Sequence, residues 1–417
     1  MPGRTGRGVG DEPGQGTGGG TNLGGCGAGA TPARRRPVPA GQAACLPSFT
    51  RLPYSAADFD CVERKAGDIM SVWARGAGAV AVAAALVLGA GPGAAVAADP
   101  VRSPYGASTG VGVHNAYEKA KYRYFADALD SGAAMLELDV WTNTFGRSWR
   151  VSHGNPLGND NNCENAAHAG ELRTRPRNQD LGGCLADIRA WHDAHPGHRP
   201  VLLKIEMKDG FQARHGRGPA DLDALLTARL GDALFRPADL AGAHPDLDTA
   251  VRADGWPTRD RLAGKFVVEL IPGTVEEGNP ADSLWTDREY AAHLRGLAAA
   301  GRLREAGAFP AVHRAQGGDP RLRYADAGLR PWFVVFDGDA SVYAGGSVDT
   351  SWYARHDYLL VMTDAHNVAP AIDGTHPTEA QARDRLALLA GRHASVVSAD
   401  WYPLPSVLST VVPRAGG

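Results

Sequence analysis

The sequence carries almost no net charge and few cysteines. Its formal charge is −3 over 417 residues, so composition indicates no surface for nucleic acid or another polyanion. Three of its five cysteines lie within the first 61 residues, which leaves Cys163 and Cys184 in the rest of the chain. An even number suits an oxidising compartment, and we expect these two to form a disulfide. Two unrelated thiols are the alternative.

The sequence also lacks an apolar run of the roughly 20 residues that a comfortable transmembrane helix needs. Its most apolar stretch, 77–90, follows Arg75 and gives way to small residues, as in a secretory signal peptide. We therefore predict a signal peptide at 70–98 and a secreted protein, with a membrane anchor as the alternative. Residues 1–69 are rich in Gly, Pro and Arg and are expected to be disordered. Our hypothesis is that translation starts at Met70 and that 1–69 belong to an over-extended reading frame.

Residues 99–417 alternate short apolar runs with amphipathic helical patterns, and we predict that they form one domain. The helical patterns occupy 185–194, 221–230, 287–300 and 378–391. The candidate strands are 110–113, 135–140, 149–152, 200–205, 265–271, 332–336, 358–362 and 395–398. Eight strands separated by helices predict an α/β fold, a closed (β/α)₈ TIM barrel, regular or distorted. An open doubly wound sheet is the alternative, but no glycine-rich phosphate fingerprint follows the first strand.

Polar side chains follow each of the first four predicted strands. In a barrel of this kind, the active site is built from residues at the carboxyl ends of the strands. These residues are His114 and Asn115 in "VGVHN", Glu137 and Asp139 in "LELDVW", His153 in "VSHG", and Glu206 in "LLKIEMK". The barrel prediction therefore gathers them at one mouth.

The two acids of "LELDVW" predict a cation site. Side chains alternate along a strand, so Glu137 and Asp139 share a face while Leu136, Leu138 and Val140 point the other way. Two carboxylates at the mouth repel each other unless a positive charge lies between them. With the amide of Asn115 and the carboxylate of Glu206, four hard oxygen donors suit Ca²⁺, with Mg²⁺ as the alternative. An exposed edge strand with its acids in solvent is the competing interpretation.

Two histidines beside such a cation predict phosphodiester cleavage. His114 and His153 each follow a β-type run and are expected to face each other across the mouth. An imidazole pair can divide general-base and general-acid work, while the metal neutralises charge on the phosphoryl oxygens. The H-E-x-x-H motif of zinc proteases is absent from the sequence.

These motifs resemble a known family. "HN", "ELDVW", "SHG" and "PVLLKIE" match, in order and spacing, the catalytic half of calcium-dependent phosphatidylinositol-specific phospholipase C. The stretch "CLADIRAWHDAHPGHRPV" is similar to the secreted bacterial branch. The resemblance covers about 111–208 well and the second half only in outline. It implies a PLC-like phosphodiesterase barrel that cleaves phosphatidylinositol at a membrane surface into diacylglycerol and a cyclic inositol phosphate. We expect a monomer.

The resemblance also implies a role for each motif residue. Ca²⁺ is held by four ligands, namely Asn115, Glu137, Asp139 and Glu206. His114 stabilises the phosphoryl transition state and is also a candidate base, and His153 protonates the diacylglycerol oxygen. Glu137 doubles as the acceptor of the proton of the inositol 2-hydroxyl, which attacks phosphorus.

The substrate pocket is less well defined by the sequence. Lys204 shares a predicted strand face with Glu206, and Lys208 lies just beyond, so either is a candidate phosphate contact, with an exposed surface charge as the alternative for each. Trp401 is a candidate for stacking on a sugar-like ring or for insertion into the membrane interface, with packing in the protein interior as the alternative, and Tyr402 is a candidate substrate contact. The later strands end in acids, at Glu269, Asp337, Asp364 and Asp400, which makes the predicted mouth unusually acidic.

Two other functions are compatible with the same barrel. A glycerophosphodiester phosphodiesterase shares the Glu-x-Asp pair and an "IE-x-K" strand, but it normally carries arginine where this chain has Asn115. A secreted binding module on a catalytically dead barrel is the third possibility. Dead relatives are expected to lose a histidine or a metal-binding acid, whereas this sequence keeps all six residues.

Overall fold

Eight parallel strands close into a barrel in the computed structural model, which describes residues 102–142, 148–314 and 316–416. The first strand pairs with both the second and the last, which closes the sheet and confirms the predicted (β/α)₈ architecture. The predictions for the leader and signal peptide, 1–98, lie outside the described residues. The barrel strands are β1 Ser108–Val113, β2 Met135–Trp141, β3 Val201–Met207, β4 Phe266–Pro272, β5 Phe309–His313, β6 Val335–Asp339, β7 Leu359–Thr363 and β8 Val396–Ala399.

Helices connect most of these strands on the outside of the barrel. In the described ranges, none of them is both long and apolar enough to cross a membrane. They are α1 Phe125–Asp130, α2 Leu181–Ala194, α3 Pro219–Leu230, α4 Pro237–Ala241, α5 Leu247–Asp254, α6 Thr274–Glu277, α7 Thr286–Ala299, α8 Ala340–Ala344, α9 Ser351–Arg355, α10 Glu379–Gly391 and α11 Pro405–Leu408.

Local sequence signals fix where the main helices begin and end. The carboxylate of Asp180 accepts a hydrogen bond from the backbone N–H of Gly183 at 3.0 Å and caps α2. The helix ends at His195, because the next residue is a proline. Pro219 occupies the first turn of α3, where its missing N–H costs nothing. Thr378 and Gln381 form a capping box at the start of α10.

One predicted barrel strand was wrong, and one barrel strand was missed. Of the predicted strand 149–152, only Arg150–Val151 is extended, and it pairs antiparallel with β2 as a hairpin outside the barrel. The barrel strand that completes the eight is β5, which the sequence did not reveal. Two further short strands flank the barrel: Leu234–Phe235 pairs with β4, and Val411–Pro413 pairs antiparallel with β1.

The first strand approaches the second closely because it carries glycine. A Cβ added at Gly110 would lie 2.4 Å from the Cβ of Ala134, and one at Gly112 would lie 2.8 Å from the side chain of Met135. Neither distance is compatible with a larger residue, so the two glycines of "STGVGV" allow the barrel to close at this seam. The seam places the carboxyl end of β1 beside that of β2.

The predicted disulfide is present. Cys163 and Cys184 are bonded and fully buried, joining the loop that follows β2 to the first turns of α2. The bridge therefore anchors the long β2–α2 connection, which also carries His153.

Candidate active site at the barrel mouth

The end of β1 turns sharply at the two residues that follow it. Asn115 adopts a left-handed conformation with φ of 48°, which asparagine tolerates better than most residues. Its side chain is buried, and its Oδ1 has no hydrogen-bond partner in the described structure. A buried amide oxygen without a partner is costly, and a bound cation would supply the missing partner.

Three carboxylates from β2 and β3 meet beside that amide. The register pairs Glu137 with Lys204 and Asp139 with Glu206, so both acids of β2 face the barrel interior with the acid of β3. One oxygen from each carboxylate lies within 4.8 Å of the others. Oxygens Oε2 of Glu137 and Oδ1 of Asp139 are also buried without hydrogen-bond partners. The four predicted metal ligands thus come from three adjacent strands at one mouth, and this set fits a hard divalent cation.

The carboxylate cluster is electrostatically strained. Burial, reinforced by the negative charges of Glu206 and Glu137, raises the pKa of Asp139 to about 7. The ammonium of Lys208 lies 2.7 Å from Oε1 of Glu206 and 3.2 Å from Oδ2 of Asp139. Opposing the effect of burial, these two acids raise the pKa of Lys208. The cluster therefore keeps a net negative charge, which the single lysine only partly neutralises.

His153 contacts the cluster from its outer side. Its Nδ1 lies 2.9 Å from Nδ2 of Asn115 and 3.6 Å from Oδ2 of Asp139. Because the amide nitrogen of Asn115 donates to Nδ1, the neutral ring carries its proton on Nε2. The exposed imidazole lines a groove of about 590 Å³ together with Glu118. Its Nε2 is thus the ring nitrogen that is free to meet a ligand in the groove.

His114 lines the same mouth as Glu137 and pairs with an acid beyond the last strand. Its Nδ1 lies 3.3 Å from Oδ1 of Asp400, a residue just beyond β8. Lys121 donates to the same oxygen at 2.7 Å and to the carbonyl of His114 at 2.8 Å, which fixes the pair. Burial opposes protonation of His114, but the charges of Glu137 and Asp400 outweigh it and raise its pKa to about 9. An imidazolium at this position can stabilise negative charge.

A buried ion network forms the floor beneath the cluster. Lys204 donates to Oδ2 of Asp337 at 2.8 Å and lies 3.4 Å from Oε1 of Glu137. His313, at the end of β5, lies 3.1 Å from Oδ1 of Asp337. Burial and the nearby charge of Asp337 raise the pKa of Glu269 well above its usual range. The positive charge of Lys204 therefore partly offsets the acids that made the predicted mouth unusually acidic.

A cavity of about 150 Å³ opens above this floor. It is lined by His114, Glu137, Lys204, Glu206, Ile271, Pro272, Thr274, His313, Asp337, Thr363, Asp364 and Ser398. The side chains come from all eight barrel strands or the residues that follow them, so this hollow is the barrel mouth. It adjoins the carboxylate cluster through Glu137 and Glu206.

The predicted substrate contacts differ in outcome. The prediction for Trp401 was wrong, because its side chain is fully buried in the core and presents no face to a sugar ring or a membrane. Tyr402 is half-buried, packs edge-to-face on Tyr122, and stays a prediction. Lys204 and Lys208 stay predictions as phosphate contacts, although both ammonium groups already contact acids.

The sequence reasoning missed three side chains of this site. Lys121 carried no signal beyond its proximity to the "HN" motif, and Asp400 was noted only as an acid after the last strand. His313 was missed together with β5. The pattern "FPAVHR", a short apolar run that ends in histidine, had the same form as the motifs that were recognised.

A closed (β/α)₈ barrel, and a mouth that gathers three carboxylates, an unpartnered amide oxygen and two histidines, are features of the metal-dependent phosphodiesterases of this fold. Comparisons with known proteins narrow the class. The Ca²⁺-dependent phosphoinositide phospholipase C family matches residues 112–282. No curated protein sequence matched.

Solved structures extend the match to about three quarters of the chain. A Ca²⁺-dependent phosphatidylinositol-specific phospholipase C from Streptomyces antibioticus is 70% identical, covering 76% of this chain and 100% of that chain, with a TM-score of 0.75. A calcium-dependent phosphoinositol-specific phospholipase C from a Gram-negative Pseudomonas sp is 22% identical over 75% of this chain and 96% of that chain. Its TM-score of 0.56 supports the fold alone.

The chain belongs to the Ca²⁺-dependent phosphatidylinositol-specific phospholipase C family. It is a phosphodiesterase whose cofactor is Ca²⁺ and whose substrate is a phospholipid. Neither a glycerophosphodiester phosphodiesterase nor a catalytically dead binding module is favoured by these findings.

Proposed function

We propose that Asn115, Glu137, Asp139 and Glu206 hold the calcium ion of this enzyme. The observation that supports the assignment is that one oxygen from each of the three carboxylates lies within 4.8 Å of the others, while the buried Oδ1 of Asn115 has no hydrogen-bond partner. Calcium bound there supplies positive charge for the phosphoryl oxygens and lowers the pKa of the attacking hydroxyl. The ammonium of Lys208 contacts two of these acids, and we expect the bound ion to displace it from them.

His153 acts as the general acid in this proposal. In the imidazolium form both ring nitrogens carry protons, and Nδ1 faces the carboxylates of Asp139 and Glu118 at 3.6 and 3.8 Å. The proton on the exposed Nε2 passes to the departing diacylglycerol oxygen as the phosphorus–oxygen bond breaks, which leaves a neutral imidazole. The groove beside the imidazole gives the glycerol end of the lipid a place outside the inositol cavity.

His114 and Glu137 act on the inositol side. Asp400 and Lys121 fix the His114 ring beside the cavity, where it stabilises negative charge on the phosphoryl group. Glu137 accepts the proton of the inositol 2-hydroxyl while that oxygen attacks phosphorus. The new oxygen–phosphorus bond replaces the bond to diacylglycerol, so the products are diacylglycerol and a cyclic inositol phosphate.

We also propose that the protein is secreted as a monomer after cleavage near residue 98. The signal-peptide pattern at 70–98 and the buried disulfide support export to an oxidising compartment. N-terminal sequencing of the protein from its source is expected to give a start near 99. Peptides from before Met70 in the native protein would contradict the proposed start.

The acid role of His153 is tested by changing the leaving group. His153→Ala is expected to lower turnover of phosphatidylinositol by about 10²- to 10⁴-fold, because the alkoxide then leaves unprotonated. A nitrophenyl phosphoinositol, whose leaving group needs no acid, is expected to retain most of its rate. His114→Ala is expected to slow both substrates.

A matched control is His195→Ala, because that exposed histidine follows α2 at the other end of the barrel. Its activity is expected to equal that of the wild type. Equal losses on both substrates for His153→Ala would remove the general-acid assignment.

A further inference from the structure

Two histidines at the amino end of the barrel lie against each other. His192 occupies the last turn of α2, and His198 lies in the turn that leads from α2 into β3. Nδ1 of His192 is 3.1 Å from Nε2 of His198, and the two rings are nearly perpendicular. Since β3 runs from this turn to the mouth, the pair lies at the opposite end of the barrel from the active site.

A backbone carbonyl orients the His198 ring toward its partner. Nδ1 of His198 lies 2.6 Å from the carbonyl oxygen of Arg199, which can only accept, so this nitrogen carries a proton. In the neutral ring, Nε2 is therefore unprotonated and faces Nδ1 of His192 with its lone pair. Metal-binding histidines are oriented in the same way, with the second ring nitrogen donating to a carbonyl or carboxylate.

The separation of the two nitrogens suits two ligands of one metal ion. Nitrogens bound to a transition ion at about 2.0–2.1 Å lie about 2.8–3.4 Å apart in octahedral or tetrahedral geometry. The observed distance of 3.1 Å is within that range. In the metal-free pair, a proton on Nδ1 of His192 bridges the same two atoms, so a bound ion would replace that proton.

The surroundings keep both imidazoles in the form that binds metals. Burial lowers the pKa of His192 and that of His198, so both rings are neutral at pH 7. The ring of Phe266, at the start of β4, packs against both. Two acids and two bases near His192 act on its pKa in opposite directions: Asp193, Asp232, Arg189 and Lys265.

The third histidine of the segment "HDAHPGH" does not join the pair. Nδ1 of His195 lies 2.8 Å from the carbonyl oxygen of Trp191, and its ring stacks on the indole of the same residue. Among the described residues, the carboxylate cluster of the mouth is the only group of three side-chain ligands within 4.8 Å of one another. Water would therefore complete the coordination of an ion at the histidine pair.

We propose that His192 and His198 form a second metal site, which takes a divalent transition ion such as Zn²⁺. Imidazole nitrogens suit such ions, whereas Ca²⁺ takes oxygen ligands, so the two sites select different cations. An ion held here joins the end of α2 to the turn before β3. It thereby fixes the end of this helix that lies opposite the disulfide of Cys184. The role is structural and independent of the proposed calcium site.

Zinc binding by the calcium-loaded protein tests the proposal. The probe is Zn²⁺ alone, titrated calorimetrically into protein without a histidine tag, with calcium in excess to occupy the mouth. One Zn²⁺ per chain is expected to bind, and saturation is expected to raise the unfolding temperature by about 3 °C. His192→Gln and His198→Gln are each expected to weaken binding by at least about 10-fold. If His192→Gln does not fold, the less buried His198→Gln provides the comparison.

The matched control is His195→Gln, which removes an exposed histidine of the same segment and is expected to bind Zn²⁺ like the wild type. The three single variants are expected to keep the wild-type kcat/KM for phosphatidylinositol with calcium, because the pair lies away from the mouth. Wild-type zinc affinity in the double variant His192→Gln/His198→Gln would overturn the proposal, as would an equal loss in His195→Gln. A wild type that binds no Zn²⁺ would also overturn it, by assigning the pair to a hydrogen bond alone.

Discussion

Replacing Asp139 by asparagine probes the proposed calcium site most cleanly. Asp139→Asn keeps the shape of the side chain but lowers the formal charge of the Glu137, Asp139 and Glu206 cluster from −3 to −2. Calcium affinity in oxygen-ligand sites follows the number of ligand charges. We expect calcium binding to weaken about 100-fold, which is about 2.7 kcal/mol.

The same change has a predictable effect on stability. At calcium near 100 times the wild-type Kd, bound ion stabilises the wild type by about 2.7 kcal/mol, whereas the variant gains only about 0.4 kcal/mol. Isothermal titration calorimetry gives the affinities, and thermal unfolding with and without calcium gives the stabilities. Unfolding in chelator is expected to show a folded variant.

Asp364→Asn is the matched control for this experiment. Asp364 lines the same cavity outside the cluster, and its φ of 51° is one that asparagine tolerates. Its calcium affinity is expected to stay within a few-fold of the wild type. Unchanged affinity in Asp139→Asn, with a large loss in Asp364→Asn, would place the ion elsewhere and refute the assignment.

Two further predictions concern stability. Replacing Cys163 and Cys184 together by serine opens a loop with a sequence separation of 21, and is expected to cost roughly 3 kcal/mol in urea unfolding; an unchanged midpoint would contradict it. Burial, only partly offset by hydrogen bonds from Thr286, raises the pKa of Glu276 to about 9. A raised carboxyl pKa means that the folded state holds the proton more tightly, so stability is full below the ordinary 4.5 and falls as pH rises toward 9. Glu276→Gln, which cannot ionise, is expected to exceed the wild type by about 4 kcal/mol at pH 7.5 and to match it near pH 4; parallel pH profiles would refute this.

The sequence was enough to propose the metal ligands because these residues lie in short motifs next to strands. Glu137 and Asp139 alternate within one apolar run, and Glu206 ends another, so strand periodicity alone places all three on interior faces. Asn115 was recognisable because a polar pair interrupts a β-branched run. These signals are local, and a single sequence is enough to read them.

The missed features depend on contacts between distant residues. Lys204 and Asp337 are 133 residues apart, and only barrel closure shows that one neutralises the other. Asp400 acts on His114 across 286 residues for the same reason. The strand β5 was missed because it has only five residues and contains Pro310, which is unusual within a strand. The opposite error occurred at 149–152, where Trp149 and Val151 gave a strand of two residues the pattern of a longer one. Trp401 follows a strand end, but the chain turns its ring into the core.

Phosphorus NMR of phosphatidylinositol turnover tests the central claim most directly. With calcium, the lipid phosphodiester signal is expected to be replaced by that of a cyclic inositol phosphate while diacylglycerol accumulates, and excess chelator is expected to stop the reaction. Turnover that continues unchanged in chelator, or phosphorus that stays with the glycerol, would contradict a calcium-dependent phospholipase C built on these residues.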